Sequence, residues 1–224
     1  MDLAHNLEII RSRIAQACAR VNRDPQSVQL VAVTKTVDDN VVQQLIELGV
    51  NIFGENRAQQ GKQRSEAFSQ SEWHLIGTLQ TNKVKLCRNF GLIHSLDRLK
   101  LAHELDKHAE QWDKQIDVLI QVNISNEPSK HGLKPQEVIG FAEMVTRECH
   151  HLNLRGLMGM APFVEPEAAR PYFRELAQLH QRLITEVKAD AGILSMGMSN
   201  DFEVAIEEGA TMVRIGSALF TEGD

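Results

Sequence analysis

"VQLVAVTKTVDDNVVQQLIELG", residues 28–49, holds one complete structural unit. Its first part is a run of small and β-branched apolar residues, which reads as a buried strand. A polar turn follows, and "DDNVVQQLIELG" then carries the periodicity of an amphipathic helix. The same grammar repeats to the end of the chain. After "VQLVAVTK" (28–35) the strand candidates are "NIFGEN" (51–56), "WHLIG" (73–77), "LIHSL" (92–96), "IDVLIQVN" (116–123), "LNLRGLMGM" (152–160), "ILSMG" (193–197) and "MVRIG" (212–216). Segments such as "DRLKLAHELDKHAEQ" and "RPYFRELAQLHQRLITEV" between them have helical spacing. Strands alternating with helices imply right-handed βαβ units and a parallel sheet, and eight units close most economically into a (β/α)8 TIM barrel of the α/β class. A doubly wound open sheet is the alternative. Against it, no GxGxxG motif follows a strand, and units of about 20 residues suit a compact barrel.

A chain of 224 residues, 42% hydrophobic and 24% charged, can bury the core of such a barrel, and one domain over residues 1–224 is expected. Its net charge is −6 with the signs interspersed, and no basic block exceeds "NKVKLCR" (82–88), so neither nucleic acid nor a membrane surface is an expected partner. A small molecule is. Cys18, Cys87 and Cys149 are widely spaced and odd in number, which argues for structural thiols in a reducing, cytoplasmic compartment. The start, "MDLAHNLEIIRSRIAQACARV", is charged throughout and unlike a signal peptide. Leu3, Leu7, Ile10, Ile14, Ala17 and Val21 lie at helical spacing. A helix over residues 2–22 is therefore expected to cover the barrel where the tail "SALFTEGD" is too short for a full eighth helix. No apolar face is left unassigned, so a monomer is expected.

Ligands of such barrels gather at the C-terminal strand ends. Those ends supply Lys35, "GEN" (54–56), Gly77, "NIS" (123–125), "GMAP" (159–162), "MGMSND" (196–201) and "IGS" (215–217), a polar and glycine-rich rim. Strand parity puts Lys35 on one face with Val31 and Val33, and Arg214 on one face with Met212 and Gly216. If both faces point inward, the two cations converge on one barrel mouth. A lysine beside another cation in a partly desolvated site is a route to a nucleophilic amine, although a lone strand-end lysine also simply snorkels to water. Gly197, Ser199, Gly216 and Ser217 follow the last two strands, the habitual phosphate position of this fold. The competing reading makes Ser199 or Asn200 an ordinary helix N-cap. A Schiff-base lysine with a phosphate cradle implies a phosphorylated carbonyl compound, either pyridoxal phosphate (PLP) or a phosphosugar. Arginine is a known partner of the PLP pyridine nitrogen, and Arg214 therefore favours PLP.

"AVTKT", "FGEN", "WHLIG.LQ.NK", "SK.G", "RGLM", "LSMGMS.D" and "TMVRIG..LF" occur in the order and spacing of the pyridoxal phosphate homeostasis protein family, which the whole chain resembles. The resemblance implies a barrel like the N-terminal domain of alanine racemase with PLP as cofactor. By motif, Lys35 is its Schiff-base lysine, Asn56 a cofactor contact, Arg214 the pyridine-nitrogen partner, and Ser199, Gly216 and Ser217 the phosphate site. Met196 and Met198 are expected to line the pocket. Thr34 replaces a frequent serine, Arg57 replaces a frequent tyrosine, and the tail "FTEGD" departs from the family ending.

Three functions compete: a non-catalytic PLP binder serving cofactor homeostasis and amino-acid and keto-acid balance, an amino-acid racemase, and a Schiff-base aldolase. Two-base racemisation requires two positioned acid/base groups, and the alanine racemase type takes its tyrosine from outside the barrel. The sole tyrosine here, Tyr172, begins a helix far from any strand end. The binder is favoured, with PLP-dependent apoenzymes as possible recipients. "ECHH" (148–151) lacks metal-ligand spacing. His74 reads as a packed or pocket-wall residue, and "GKQRS" (61–65) and "FEVAIEEG" (202–209) as solvated helix surface.

Overall fold

The structure, a computed structural model, describes residues 2–125, 127 and 131–221. Parallel strands β1 (Gln29–Val33), β2 (Ile52–Glu55), β3 (Glu72–Leu75), β4 (Leu92–Leu96), β5 (Ile116–Val122), β6 (Leu152–Gly159), β7 (Ile193–Ser195) and β8 (Met212–Ile215) pair in chain order. β8 pairs back onto β1, closing the barrel. Each of the eight expected strands is present, with ends within two residues of the sequence reading. The open-sheet alternative is excluded by the β1–β8 pairing.

Seven connections carry the helices α2 (Asp39–Glu47), α3 (Ala58–Ala67), α4 (Leu99–Gln111), α5 (Val138–Glu148), α6 (Pro166–Glu186) and α7 (Phe202–Glu207), and between β3 and β4 only a 3-10 turn, Thr81–Leu86. Two helices lie outside them, α1 (Leu3–Arg20) before β1 and the four-residue α8 (Ser217–Phe220) after β8. Among the described residues no helix is long and apolar enough to cross a membrane.

The strand period of two splits the core. Val31, Leu92, Leu119, Met158 and Met212 face inward and pack together, with Ile52, Met160 and Ile193 beside them. Their neighbours Ala32, Phe53, Ile93, Leu157, Leu194 and Val213 face the helices in the larger outer cluster.

Asp2 caps α1 by accepting from His5 N, and Leu3, Leu7, Ile10, Ile14 and Ala17 form its buried stripe. Val21 instead caps the helix C-terminus. α1 packs on α7 and α8. Buried Asn6 ties it there, its Nδ2 donating to Leu219 O (3.0 Å) and Thr221 O (2.8 Å). Arg13 and Arg20 pair with Glu203 and Glu207 of α7, and Arg170 of α6 pairs with Glu207 and Glu208.

Two segments read as solvated surface are largely buried. In α7, Phe202, Val204, Ala205 and Ile206 enter the core, and the acidic residues left outside are matched by these arginines. In α3, Gly61, Arg64 and Ser65 are buried: a Cβ at Gly61 would come within 2.3 Å of the Phe90 ring, and Arg64 meets an acidic partner on β2. Charge content was a poor guide to exposure in both because the partners come from other elements.

Candidate functional site

β1 delivers Lys35 to the barrel mouth two residues beyond Val33, exposed, with no hydrogen bond or ion pair to any described residue. Its loop is clamped from below. Thr34 is fully buried, and its Oγ1 donates to Glu55 Oε1 at 2.6 Å. Arg64 Nη1 donates to Thr34 O (2.8 Å) and to Glu55 Oε1 (2.5 Å), Nη2 donates to Val37 O, and Nε donates to Asp39 Oδ1 (3.0 Å). Glu55 points outward from β2 by parity, so its carboxylate meets α3, while Asn56 follows it at the rim, exposed. Gly77 closes on Asn56: a Cβ there would lie 2.2 Å from Asn56 O, so only glycine permits that approach.

Across the closing seam, Val31 is registered with Arg214, which places the arginine on the inward face. Arg214 is 3% exposed, and its Nη1 donates to Ser195 Oγ (2.6 Å) and Nη2 to Gly159 O (3.1 Å). Both acceptors are neutral. Burial lowers its pKa to about 10, with the charge of Asp201 opposing, so the guanidinium stays charged at neutral pH.

The loops after β7 and β8 meet through Ser199. Its Oγ accepts from Gly216 N and Ala218 N, both at 3.2 Å, leaving its own proton to donate. The N-cap position of α7 belongs to Asp201, and Ser199 instead satisfies backbone N–H groups at the start of α8. Asp201 accepts from Met198 N at 2.7 Å, and burial raises its pKa. Gly197 has φ +89°, and a Cβ there would sit 2.6 Å from Ala205 Cβ, so glycine is required at this turn. Ser217 is exposed at the start of α8.

Lys35, Asn56, Ser199, Arg214, Gly216 and Ser217 all lie at the C-terminal ends of the strands or just beyond them. Met198 is there too, 37% exposed. Met196 is not: it is fully buried in the outer cluster, because parity turns it away when Ser195 faces in. Of the family motifs, Ser129 and Lys130 of "SKHG" lie outside the described residues.

Several inward polar residues escaped the sequence reading. Gln121 of β5 aligns with inward Met158, and its Oε1 is buried without a hydrogen-bond partner among the described residues. Below the mouth, His74 is buried as its packed reading had it, and beside it lies buried His94, which the sequence reading did not single out and which meets Ser195. Inward parity with Leu92 was a signal available for His94. Nothing in the sequence paired it with Ser195, 101 residues away.

A closed eight-stranded barrel with a lysine after its first strand and an arginine on its last places the chain in the alanine racemase class of fold. Consistently, the family model described as "Alanine racemase, N-terminal domain" matches residues 2–223. The pyridoxal phosphate homeostasis protein of Aquifex aeolicus is 44% identical over 99% of both chains. Relatives at this identity and coverage settle the matter: the chain belongs to the pyridoxal phosphate homeostasis protein family. PipY of Synechococcus elongatus, solved with PLP bound, is 29% identical, with a TM-score of 0.82 over 98% of this chain and 100% of that one. An alanine racemase of Clostridium difficile shares the fold at TM-score 0.77 and 14% identity, covering 99% of this chain but 60% of its own.

Proposed function

We propose that this chain binds PLP without catalysing a reaction on it and serves intracellular PLP homeostasis, and through it amino-acid and keto-acid balance. The observation that carries this reading is an amine, Lys35, without a partner among the described residues in the turn just past β1, next to a buried guanidinium, Arg214, on the inward face of the adjoining β8. The names of the relatives and the PLP-bound PipY support it. Bound PLP supplies an aldehyde for attachment to an amine and a ring that withdraws electrons. In this reading Lys35 provides the amine, and Arg214 donates to the ring nitrogen. Gly216 lets the backbone approach the phosphate, which the Ser199 and Ser217 hydroxyls and the Ser217 N–H hold, and Asn56 and Met198 border the ring. Gln121 Oε1, without a hydrogen-bond partner among the described residues, and buried Arg214, hydrogen-bonded only to neutral acceptors, fit a ligand that brings both a donor and an acceptor.

The absence of catalysis is inferred from what surrounds the mouth. Tyr172 lies on α6, packed against the outer cluster. The Cys87 and Cys149 thiols are buried, and burial raises them to about 12 and about 11. Arg214 is a pure donor and leaves the ring nitrogen an acceptor, which weakens the ring as an electron sink. A racemase would need a second base. Free buried thiols suit a reducing cytoplasm, and the few large apolar side chains left exposed among the described residues, Ile9, Phe163, Val164 and Met198, suit a monomer. PLP-dependent apoenzymes are the recipients this role requires.

The test is a titration of purified protein with PLP. A near-visible absorption band should form, with no solvent deuterium entering Cα of alanine at enzymatic rates of about 1 to 1000 per second. Absence of the band, or exchange at such rates, contradicts the reading.

A further inference from the structure

Barrels of this kind fill their interior with layers of branched apolar side chains. Here a file of polar residues interrupts those layers. Glu72 Oε1 lies 2.8 Å from His74 Nε2, His74 Nδ1 lies 3.1 Å from His94 Nε2, and His94 Nδ1 lies 3.1 Å from Ser195 Oγ. Ser195 Oγ in turn meets Arg214 Nη1 at 2.6 Å. Both histidines, Ser195 and Arg214 are buried, whereas the Glu72 side chain is 52% exposed at the start of β3, the opposite opening from Lys35. The file therefore runs from solvent at the N-terminal face of the barrel to the arginine under the mouth.

Its ends fix its direction. Arginine only donates, and an ionised carboxylate only accepts. Ser195 thus accepts from Arg214 and passes its one proton to His94 Nδ1. His94 must then carry its proton on Nε2 and donate to His74 Nδ1, and His74 donates from Nε2 to Glu72. With both imidazoles neutral this is the one arrangement in which every contact has a single proton. The reverse direction leaves two acceptors facing each other between His74 and Glu72 unless one further proton is added there. It also gives Ser195 two donors, with no described acceptor for its own hydrogen.

We propose that Glu72, His74, His94 and Ser195 are positioning residues for Arg214, forming a one-directional hydrogen-bond chain that couples protonation at the far opening of the barrel to the group facing the cofactor nitrogen. The coupling to the cofactor rests on the PLP reading above, whereas the chain itself does not. Charges bearing on it are Glu72 at one end, Arg214 at the other, and Asp201 beyond Arg214. Burial, then the neighbouring His74 and Arg214, hold His94 well below the usual histidine pKa, in keeping with a neutral His94 ring, and the bond from His74 lowers the pKa of Glu72, in keeping with an ionised carboxylate at the end of the chain.

The experiment is histidine 15N NMR on the ligand-free protein, reading the tautomers of His74 and His94 against pH. At pH 7.5 both should be neutral with the proton on Nε2, and acidification should move the His94 proton to Nδ1 as one further proton enters. Glu72→Gln retains an acceptor oxygen at a half-exposed position, so the fold and the neutral tautomers should persist. Losing the charge that favours the added proton should lower the pH of the switch by about 1 unit. A His94 proton on Nδ1 at pH 7.5, or a switch unmoved in Glu72→Gln, overturns the chain. In PLP-loaded protein the absorption band should change with the same midpoint as His94, and a band insensitive to that transition overturns the coupling. Failure to bind PLP at all would strike the functional reading and leave the tautomer result standing.

Discussion

Arg64 is the side chain that most directly holds Lys35 in place, since it ties Thr34, Val37, Glu55 and Asp39 together beneath the lysine loop. Removing one partner of a buried ion pair strands the other, at a typical cost of about 3 to 5 kcal/mol. Arg64→Leu should therefore lower the stability measured by urea unfolding by about that amount, whereas loss under 1 kcal/mol would show the clamp to be incidental. Ser199 tests the anion site. Its hydroxyl keeps a free proton after accepting two backbone N–H groups, so Ser199→Ala should weaken PLP binding roughly 10- to 100-fold and leave pyridoxal almost untouched. Equal weakening of both would move the phosphate to another loop. At this scale Arg214 was legible as an inward residue because strand parity is a property of the sequence itself, and Lys35 as a residue just past a strand end. Arg64 was not, since its meaning depends on Glu55, which a one-dimensional pattern does not bring near α3.

Among the elements, α1 stands apart in preceding the barrel. Its apolar stripe was readable from helical spacing, but its attachment to α8 was not, because an asparagine within a helix carries no signal of the carbonyls it will meet. Asn6 satisfies two carbonyls at the end of α8, and cutting these bonds leaves buried acceptors unpaired. Asn6→Ala should cost about 1 to 3 kcal/mol by urea unfolding and speed hydrogen exchange in α8, the helix that follows Gly216. Unchanged exchange there would mean that α1 does not brace the loop after β8. α3 and α7 misled for the opposite reason. Their charges looked solvated one by one, and burial became possible only when barrel closure supplied counter-charges from β2, α1 and α6.

For the molecule as a whole, eight repetitions of strand and helix determined the closed barrel, and the strand ends then had to form its mouth. The interior file from Glu72 to Arg214 was hidden because it joins β3, β4, β7 and β8 across the barrel. It also predicts a pH dependence of stability. Burial holds His94 and His180 below the ordinary histidine pKa of 6.5. The unfolded chain then binds more protons than the folded one below that pH, so stability is full above about 6.5 and declines on acidification toward the depressed folded values. Melting temperatures between pH 8 and 5 should fall on the acid side, and a flat profile would argue that neither ring is buried neutral. The central claim, that this barrel is built to hold PLP on the amine after β1, is tested most directly by adding PLP, reducing with borohydride and mapping the modified peptide by mass spectrometry. The account predicts one adduct, on Lys35, lost in a folded Lys35→Ala protein. An adduct on a different lysine, or none, would contradict it.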